Sequence, residues 1–248
     1  MEGTAGHLGR VGLPERALLR AAAQAQTLPT VGGSWTSEGP TNIGGRVTGV
    51  AVDPTLPDTV YVAAASGGVW KSTDAGATYQ PTWPASFPQA TGAIAAASDG
   101  TVYVGTGEAN PGGGSMTYEG DGIYKSTDHG ASWQHVGLVS SATIGAIAVD
   151  PTNPQRVYVA AAGSLFRDGG DRGVYRSTDG GAHWTQVLAG TTPATGALDI
   201  QVDPTTRTGS TRPCGTAGAP PSCASTRASA PGCTGPPTAA RAGSDCPT

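Results

Sequence analysis

The sequence predicts an all-β fold, a partial β-propeller built of four-stranded antiparallel blades. An octamer of the form Ser-Thr-Asp-x-Gly-Ala-x-aromatic begins at Ser72, Ser126 and Ser177, and its spacing of about 50 residues is typical of propeller blades and solenoid repeats. The chain also contains 39 glycines and 20 prolines but only 13% charged residues, which describes short strands joined by many turns. The sequence therefore contains three copies of one structural unit.

The first unit shows how the four strands are predicted. Residues 47–53 alternate small and β-branched side chains, a proline-rich turn follows at 54–58, and alternation resumes at 60–62. Gly67 and Gly68 reverse the chain, because glycine takes positive φ without steric cost. A third strand at 69–72 then leads through the octamer into a fourth. Four short antiparallel strands joined by turns make one propeller blade.

The same template fits two later segments and begins a fourth. Residues 92–136 and 144–187 repeat the pattern, and residues 198–204 open another copy that does not continue. We therefore expect residues 34–204 to form three blades plus the first strand of a fourth. Since closure of a propeller ring typically takes four to eight blades, we expect the chain to be a fragment of a longer protein.

The N-terminal segment, residues 1–33, lies outside the repeat. Proline and glutamate at positions 14 and 15, followed by alanines and leucines, predict a short helix that ends near Gln26 and leads into a linker. Arg16 and Arg20 interrupt its apolar patch, so we do not expect it to be a secretion signal.

The C-terminal segment, residues 205–248, has a different composition, rich in Pro, Gly, Ala and Cys. From Arg207 onward it lacks Val, Ile, Leu, Met and aromatic residues, so it cannot offset an ordering entropy of about 1–2 kcal/mol per residue. It holds all four cysteines, Cys214, Cys223, Cys233 and Cys246. A disordered tail, a disulfide-stapled module and out-of-frame translation are alternatives. The abrupt end of the repeat favours the frame change.

The octamers have a structural explanation. An aspartate at the start of a turn accepts hydrogen bonds from backbone N–H groups just ahead of it, the glycine takes the left-handed conformation, and the aromatic ring packs back on the hairpin. Because these aspartates recur once per blade, whereas an active site is built once, we interpret them as structural. The residues assigned to these turns are Asp74, Gly76, Tyr79, Asp128, Gly130, Trp133, Asp179, Gly181 and Trp184.

The octamer resembles the Asp-box, or BNR repeat, S-x-D-x-G-x-x-W, and the resemblance covers residues 35–204. Propellers of this group include sortilin-like (VPS10-like) domains, xyloglucan-cleaving glycoside hydrolases and bacterial BNR-repeat proteins. The resemblance implies a secreted or periplasmic location and, for a complete ring, a monomer. It implies no single activity, because one propeller scaffold hosts unrelated functions.

Candidate ligand-binding residues come from the longest connections. In each blade the connection between strands two and three lies on the face opposite the octamer turns. Unusually long loops often carry binding or catalytic residues. Residues 105–122 and 164–172 are such insertions, and aromatic rings beside polar groups suit sugars. The predicted ligand-binding residues are Trp83, Glu108, Asn110, Tyr118, Phe166 and Arg167. Further aromatic and charged residues expected on this face are Phe87, Glu119, Asp121, Asp168, Asp171, Arg46 and Arg172. For Asp168, Asp171 and Arg172, simple solvation of a glycine-rich loop is an equal alternative.

Catalysis by this chain is not expected. A glycoside hydrolase needs two carboxyl groups about 5–10 Å apart, and Glu108 and Asp121 are the catalytic candidates. The xyloglucan-cleaving relatives carry T-D-I-G-G before the first glycine turn, whereas residues 64–68 here place Ala65 at the position of the acid. A methyl group cannot transfer a proton.

We therefore expect a carbohydrate- or protein-binding module that recognises a polysaccharide, protein or peptide. One alternative is a part of a glycoside hydrolase whose catalytic carboxylates are completed by blades outside this chain, and another is a sortilin-like peptide receptor. A net charge of −4 argues against nucleic acid, and no apolar run is long enough to cross a bilayer. No cofactor or metal is predicted, although Asp168 and Asp171 offer oxygen ligands of the kind that calcium prefers.

Overall fold

The computed structural model describes residues 45–109 and 118–202, together with residues 20, 21, 23, 24 and 27 and the short strands at 209–212 and 226–227. Residues 20, 21, 23 and 24 are helical, and the remainder of the predicted N-terminal helix lies outside the described residues. Asn110 and the four cysteines also lie outside them.

Three consecutive four-stranded antiparallel sheets form the described core, each with its strands in chain order. Blade 1 contains β1 (Val47–Val52), β2 (Val60–Ala64), β3 (Gly68–Ser72) and β4 (Gln80–Pro81). Blade 2 contains β5 (Thr91–Ala96), β6 (Val102–Thr106), β7 (Ile123–Ser126) and β8 (Gln134–Gly137). Blade 3 contains β9 (Ile144–Asp150), β10 (Asn153–Ala161), β11 (Gly173–Ser177) and β12 (Thr185–Leu188). The predicted fold class, an all-β partial propeller, is confirmed.

A fourth sheet follows blade 3. The strand β13 (Asp199–Val202) pairs antiparallel with β14 (Gly209–Arg212), which pairs in turn with β15 (Thr226–Arg227). The strands β14 and β15 lie in the segment for which the sequence predicts a disordered tail. Most of that segment lies outside the described residues, so the order of the tail as a whole stays a prediction.

The hydrophobic cores lie between neighbouring blades. The first strands of successive blades contact one another, β1 against β5, β5 against β9 and β9 against β13. One core joins blades 1 and 2 and contains Tyr61, Val69, Trp83, Val102, Val104 and Tyr124. A second joins blades 2 and 3 and contains residues such as Tyr103, Ile123, Ile144, Val157 and Val159. Because a single sheet cannot bury both of its faces, each blade depends on its neighbours for stability.

The octamer turns repeat one hydrogen-bond pattern. In blade 2, Asp128 Oδ1 accepts from the Ser132 N–H at 2.8 Å and from the Ser126 hydroxyl at 2.7 Å, while Ser126 Oγ accepts from the Gly130 N–H at 2.8 Å. Gly130 has a φ of 82°, which glycine adopts without steric cost. The hydrogen bonds from Ser132 and Ser126 lower the pKa of Asp128 to about 2, because they stabilise the ionised carboxylate.

The aromatic residue that ends each octamer connects two blades. The indole N–H of Trp133 in blade 2 donates to the carbonyl of Thr82 in blade 1 at 2.9 Å, and that of Trp184 in blade 3 donates to the carbonyl of Val136 in blade 2 at 2.8 Å. Each tryptophan ring also lies against the glycine of its own turn, as the sequence predicted, and its indole N–H adds a bond to the preceding blade. Tyr79 is the counterpart in blade 1 and is 38% exposed.

Candidate functional site

The loop face of the propeller is the end at which the second strand of each blade turns into the third. The octamer turns follow β3, β7 and β11 and therefore lie at the opposite end of each blade. The loop face carries the connection between β6 and β7, described at 107–109 and 118–122, and the connection between β10 and β11. It also carries the segments that run from an outer strand to the next blade.

An ion pair on this face joins blade 2 to blade 3. The Arg167 guanidinium pairs with Oε2 of Glu119, and the Ser164 hydroxyl donates to Oε1 of the same carboxylate at 2.5 Å. Ser164 Oγ also accepts from the backbone N–H groups of Phe166 at 3.1 Å and Arg167 at 3.2 Å, which fixes the shape of the β10–β11 loop. Two connections of different blades are thereby held together.

Two exposed aromatic rings flank this ion pair. Phe166, which precedes Arg167, is 72% exposed, and Tyr118, which precedes Glu119, is 41% exposed. Large aromatic side chains gain free energy when they leave water, so two exposed rings beside a fixed polar group are suited to contact a ligand. Of the predicted ligand-binding residues, these two and Arg167 therefore lie together. Glu119 and Ser164 complete the site, and no motif in the sequence identified Ser164.

A cleft of about 320 Å³ lies next to the β10–β11 loop. Its walls are formed by residues 169 and 170 of that loop and by the segment 189–195, which leads from β12 toward β13. The lining residues are Gly169, Gly170, Arg172, Gln186, Ala189, Gly190, Thr191, Thr192, Pro193 and Thr195. Hydroxyl, amide and backbone groups dominate this surface, which suits a ligand rich in hydroxyl groups.

Arg172 connects segments of the loop face and also lines the cleft. This side chain is buried and donates to backbone carbonyls of Ala162 at 2.7 Å, Gly169 at 2.9 Å and Ala194 at 3.0 Å. Burial lowers the pKa of Arg172 below its ordinary value, because desolvation disfavours the charged form. Arg172 thus holds the β10–β11 loop against the segment that follows β12.

Glu108 and Asp121, the catalytic candidates, are both buried and paired. Glu108 is 1% exposed and forms a two-contact ion pair with Arg46. Asp121 is also buried and accepts from the Tyr124 hydroxyl at 3.1 Å. Both carboxylates thus have protein partners, because an ionised group leaves water only when it is paired, and their catalytic role stays a prediction.

Ala65, at the position where the sequence resemblance implies an acid, lies next to Arg46. Ala65 is buried, and its backbone N–H donates to the carbonyl of Arg46 at 2.9 Å. The side chain at this position is therefore the methyl group of Ala65, and the carboxylate of Glu108 is paired with the guanidinium of Arg46.

Trp83 lies buried in the core between blades 1 and 2, and the half-buried Phe87 packs against that core. Trp83 is buried and makes edge contacts with Phe87, Tyr124 and Trp133 at centroid distances of 5.5, 5.1 and 5.2 Å. Its indole N–H donates to the carbonyl of Pro88 at 2.9 Å. The segment 82–90 folds back into the core between blades 1 and 2, because burying these rings gives more free energy than leaving them in water.

The two aspartates considered for calcium lie on the β10–β11 loop. Asp171 accepts a hydrogen bond from the Ser140 N–H at 3.2 Å, which ties this loop to the end of blade 2. Within residues 45–109 and 118–202, no three His, Cys, Asp or Glu side chains lie close enough together to hold a metal ion. In the same part of the chain, no helix is long and apolar enough to cross a membrane.

Curated relatives of the chain act on xyloglucan according to their names. The chain is 31% identical over 166 residues to a probable oligoxyloglucan-reducing end-specific xyloglucanase of Neosartorya fischeri, which covers 63% of this chain and 18% of the relative. It is 29% identical over 194 residues to a xyloglucanase of Paenibacillus sp, which covers 62% of this chain and 17% of the relative. The chain thus spans less than a fifth of either relative. No protein-family model matches it.

Solved structures show the same fold. The GH74 enzyme of Niastella koreensis superposes with a TM-score of 0.53 at 23% identity, over 70% of this chain and 30% of that enzyme. The GH74 xyloglucanase of Xanthomonas campestris gives a TM-score of 0.53 at 22% identity, over 66% and 26%. The chain is therefore a series of β-propeller blades that is similar to part of the xyloglucanase propellers.

Proposed function

We propose that this chain is a polysaccharide-binding part of a xyloglucanase-like propeller and that its ligand is xyloglucan or a related β-glucan. The observation that carries the proposal is the pair of exposed rings, Phe166 and Tyr118, beside the Glu119–Arg167 ion pair that joins two blades. Similarity to xyloglucanases over more than 60% of the chain supports a polysaccharide as the ligand.

The electrostatics of this surface favour an uncharged ligand. The carboxylate of Glu119 and the guanidinium of Arg167 neutralise each other, so a charged sugar gains little there, whereas hydroxyl groups can bond to either partner. The neighbouring cleft offers the threonines 191, 192 and 195. A neutral glucan chain would stack on the rings of Phe166 and Tyr118 and form hydrogen bonds with the threonine hydroxyl groups of the cleft.

We further propose that the chain binds but does not cleave this polysaccharide. Ala65 replaces the acid that the resemblance implies, and Glu108 and Asp121 are buried among protein partners. In a longer protein, carboxylates of other blades would supply catalysis. Because xyloglucan is an extracellular polymer, export to the cell exterior is part of this proposal. No observation favours the sortilin-like alternative, which stays a prediction from the sequence.

The test is calorimetric titration with xyloglucan oligosaccharides, followed by a reducing-end assay. Phe166→Ala and Tyr118→Ala should each weaken binding about fivefold to tenfold, since each removes apolar area that the ligand would cover. Leu56→Ala is the matched control, because Leu56 is an exposed apolar residue in the β1–β2 connection on the opposite face.

Two results would contradict the proposal. Equal affinity of Phe166→Ala, Tyr118→Ala and the unmodified chain would show that the loop face is not the binding surface. Turnover by the unmodified chain that disappears in Glu108→Gln, with the fold intact by circular dichroism, would show that Glu108 transfers a proton and that the chain is itself an enzyme.

A further inference from the structure

A buried arginine supports the loop that connects β10 to β11. Arg172 is 7% exposed, and the five N–H groups of its guanidinium match five hydrogen bonds, all of them to backbone carbonyls. The acceptors are the carbonyls of Ala162, Ser164, Arg167, Gly169 and Ala194. A cation leaves water only when its donors are satisfied in this way, so the guanidinium and these carbonyls hold one another in place.

Four of these carbonyls belong to the segments that form the candidate site. Ser164 and Arg167 lie on either side of Phe166 in the chain, and their carbonyls both accept from Nη2 of the guanidinium. Gly169 lines one wall of the cleft, and Ala194 belongs to the segment that forms the other wall. The arginine thus connects the loop of the exposed ring with both walls of the cleft.

The glycine at position 163 leaves the space that this side chain fills. A Cβ atom on Gly163 would lie 2.5 Å from Cγ and 2.7 Å from Cζ of Arg172. Because packed interiors do not tolerate such close contacts, a larger residue at this position would push the guanidinium away from its acceptors. The end of β10 is therefore adapted to the arginine.

The arginine is not part of the repeated unit. Counted back from the serine of the octamer, the positions that correspond to Arg172 are Gly67 in blade 1 and Asp121 in blade 2. A residue that the blade architecture required would recur in every blade, as the turn aspartates do. Arg172 therefore serves the β10–β11 loop of blade 3 in particular rather than the propeller fold.

We propose that Arg172 is the positioning residue of the loop face, which holds the loop of Phe166 and the two walls of the cleft in the arrangement that a polysaccharide contacts. Its planar fork of five N–H groups is matched to the carbonyls around it, so lysine, with three N–H groups, cannot replace it. Walls that are ordered in advance reduce the cost of ordering them on binding. The effect on affinity rests on the proposed function, whereas the positioning of the walls does not.

The experiment uses the full chain and measures amide exchange without ligand, together with affinity for xyloglucan oligosaccharides by titration calorimetry. Arg172→Ala should accelerate exchange in residues 164–171 and 189–195 about tenfold, because both segments lose their shared donor. The affinity should fall about tenfold, since the ligand must then order the loops itself. Arg172→Lys keeps the charge and should show both losses, because three N–H groups cannot serve five carbonyls.

Free guanidinium ion provides a readout that a general loss of stability would not give. At concentrations well below those that unfold proteins, it should slow exchange and restore affinity in Arg172→Ala, whereas tetramethylammonium, which has no N–H groups, should do neither. Arg156→Ala is the matched control, because Arg156 pairs with Asp150 near the β9–β10 connection, at the opposite end of the same blade. It should change neither the exchange of the two segments nor the affinity.

The outcomes separate this inference from the proposed function. Unchanged exchange in both segments of Arg172→Ala, equal changes in Arg156→Ala, or equal rescue by the two ions would overturn the positioning role. Unchanged affinity of Arg172→Ala, when the unmodified chain binds, would overturn the effect on binding and leave the proposed function standing. No binding by the unmodified chain, together with exchange that guanidinium reverses, would refute the proposed function alone and support Arg172 as the residue that holds the cleft walls.

Discussion

Trp133→Ala tests whether the blades stabilise one another through the aromatic residue of the octamer. The indole of Trp133 lies half-buried in the core between blades 1 and 2, donates to the Thr82 carbonyl at 2.9 Å and meets Trp83 at a centroid distance of 5.2 Å. Tyr79 has the same position in blade 1, is 38% exposed, and lies at the edge of the described blades.

The expected magnitude follows from these contacts. Truncation of a fully buried tryptophan costs about 3–5 kcal/mol, and partial burial reduces the packing part to roughly half. The lost hydrogen bond adds about 1 kcal/mol, and the lost aromatic contact adds about as much. We therefore expect Trp133→Ala to lower the free energy of unfolding by about 4 kcal/mol, which for a chain of this size corresponds to a decrease of about 12 °C in Tm. Tyr79→Ala should cost less than about 1 kcal/mol, as is usual for an exposed position.

The assay is urea unfolding followed by far-UV circular dichroism, with Trp184→Ala as a second variant at the junction of blades 2 and 3. Trp184 donates to Val136 at 2.8 Å, so its truncation should resemble that of Trp133. Equal destabilisation by Tyr79→Ala and Trp133→Ala would refute the reasoning, because it would show that the aromatic residue stabilises its own hairpin rather than the junction.

Three further predictions concern single carboxylates. Asp128→Ala should destabilise the chain by about 1 kcal/mol through lost turn hydrogen bonds at an exposed site, without changing the affinity for a glucan in titration calorimetry. The pKa values of Asp53 and Asp128 are lowered from 3.8 to about 2, so their stabilisation is complete above about pH 4 and is lost as the pH falls toward 2. Thermal melts over this range should show that loss, and Asp53→Asn should make it smaller. Glu108→Gln should lower stability by about 2 kcal/mol, because it removes the ion pair between the buried Glu108 and Arg46, and should leave glucan affinity unchanged.

The sequence predicted the architecture because the repeat encodes it locally. Each octamer contains the aspartate, the glycine and the aromatic residue that one turn requires, and strand alternation lies on either side. The boundaries of the blades and the all-β class follow from those signals alone. The bonds from Trp133 and Trp184 to the preceding blade could not be predicted in this way, because they join residues of two units whose relative placement no local pattern encodes.

The sequence predicted which loops carry the candidate site, but it did not predict which way their side chains turn. Loop length predicted that Tyr118 and Phe166 are exposed, and they are, since long connections lie at the surface; their role in binding stays a prediction. The same reasoning placed Trp83 and Glu108 there, but composition does not reveal whether a ring or a carboxylate in a connection turns toward water or toward a buried partner. For Glu108 the deciding feature is Arg46, which lies in the preceding blade.

The most direct test of the proposed function is hydrogen–deuterium exchange of the full chain with and without a xyloglucan oligosaccharide. Binding at the loop face should slow amide exchange in residues 118–122 and 164–172, and also in residues 189–195, which line the cleft. The octamer turns at 74–79, 128–133 and 179–184 lie at the other end of the blades and should exchange at unchanged rates. Protection of the octamer turns, with no change in the loops that carry Tyr118 and Phe166, would contradict the assignment of the loop face as the glycan-binding surface.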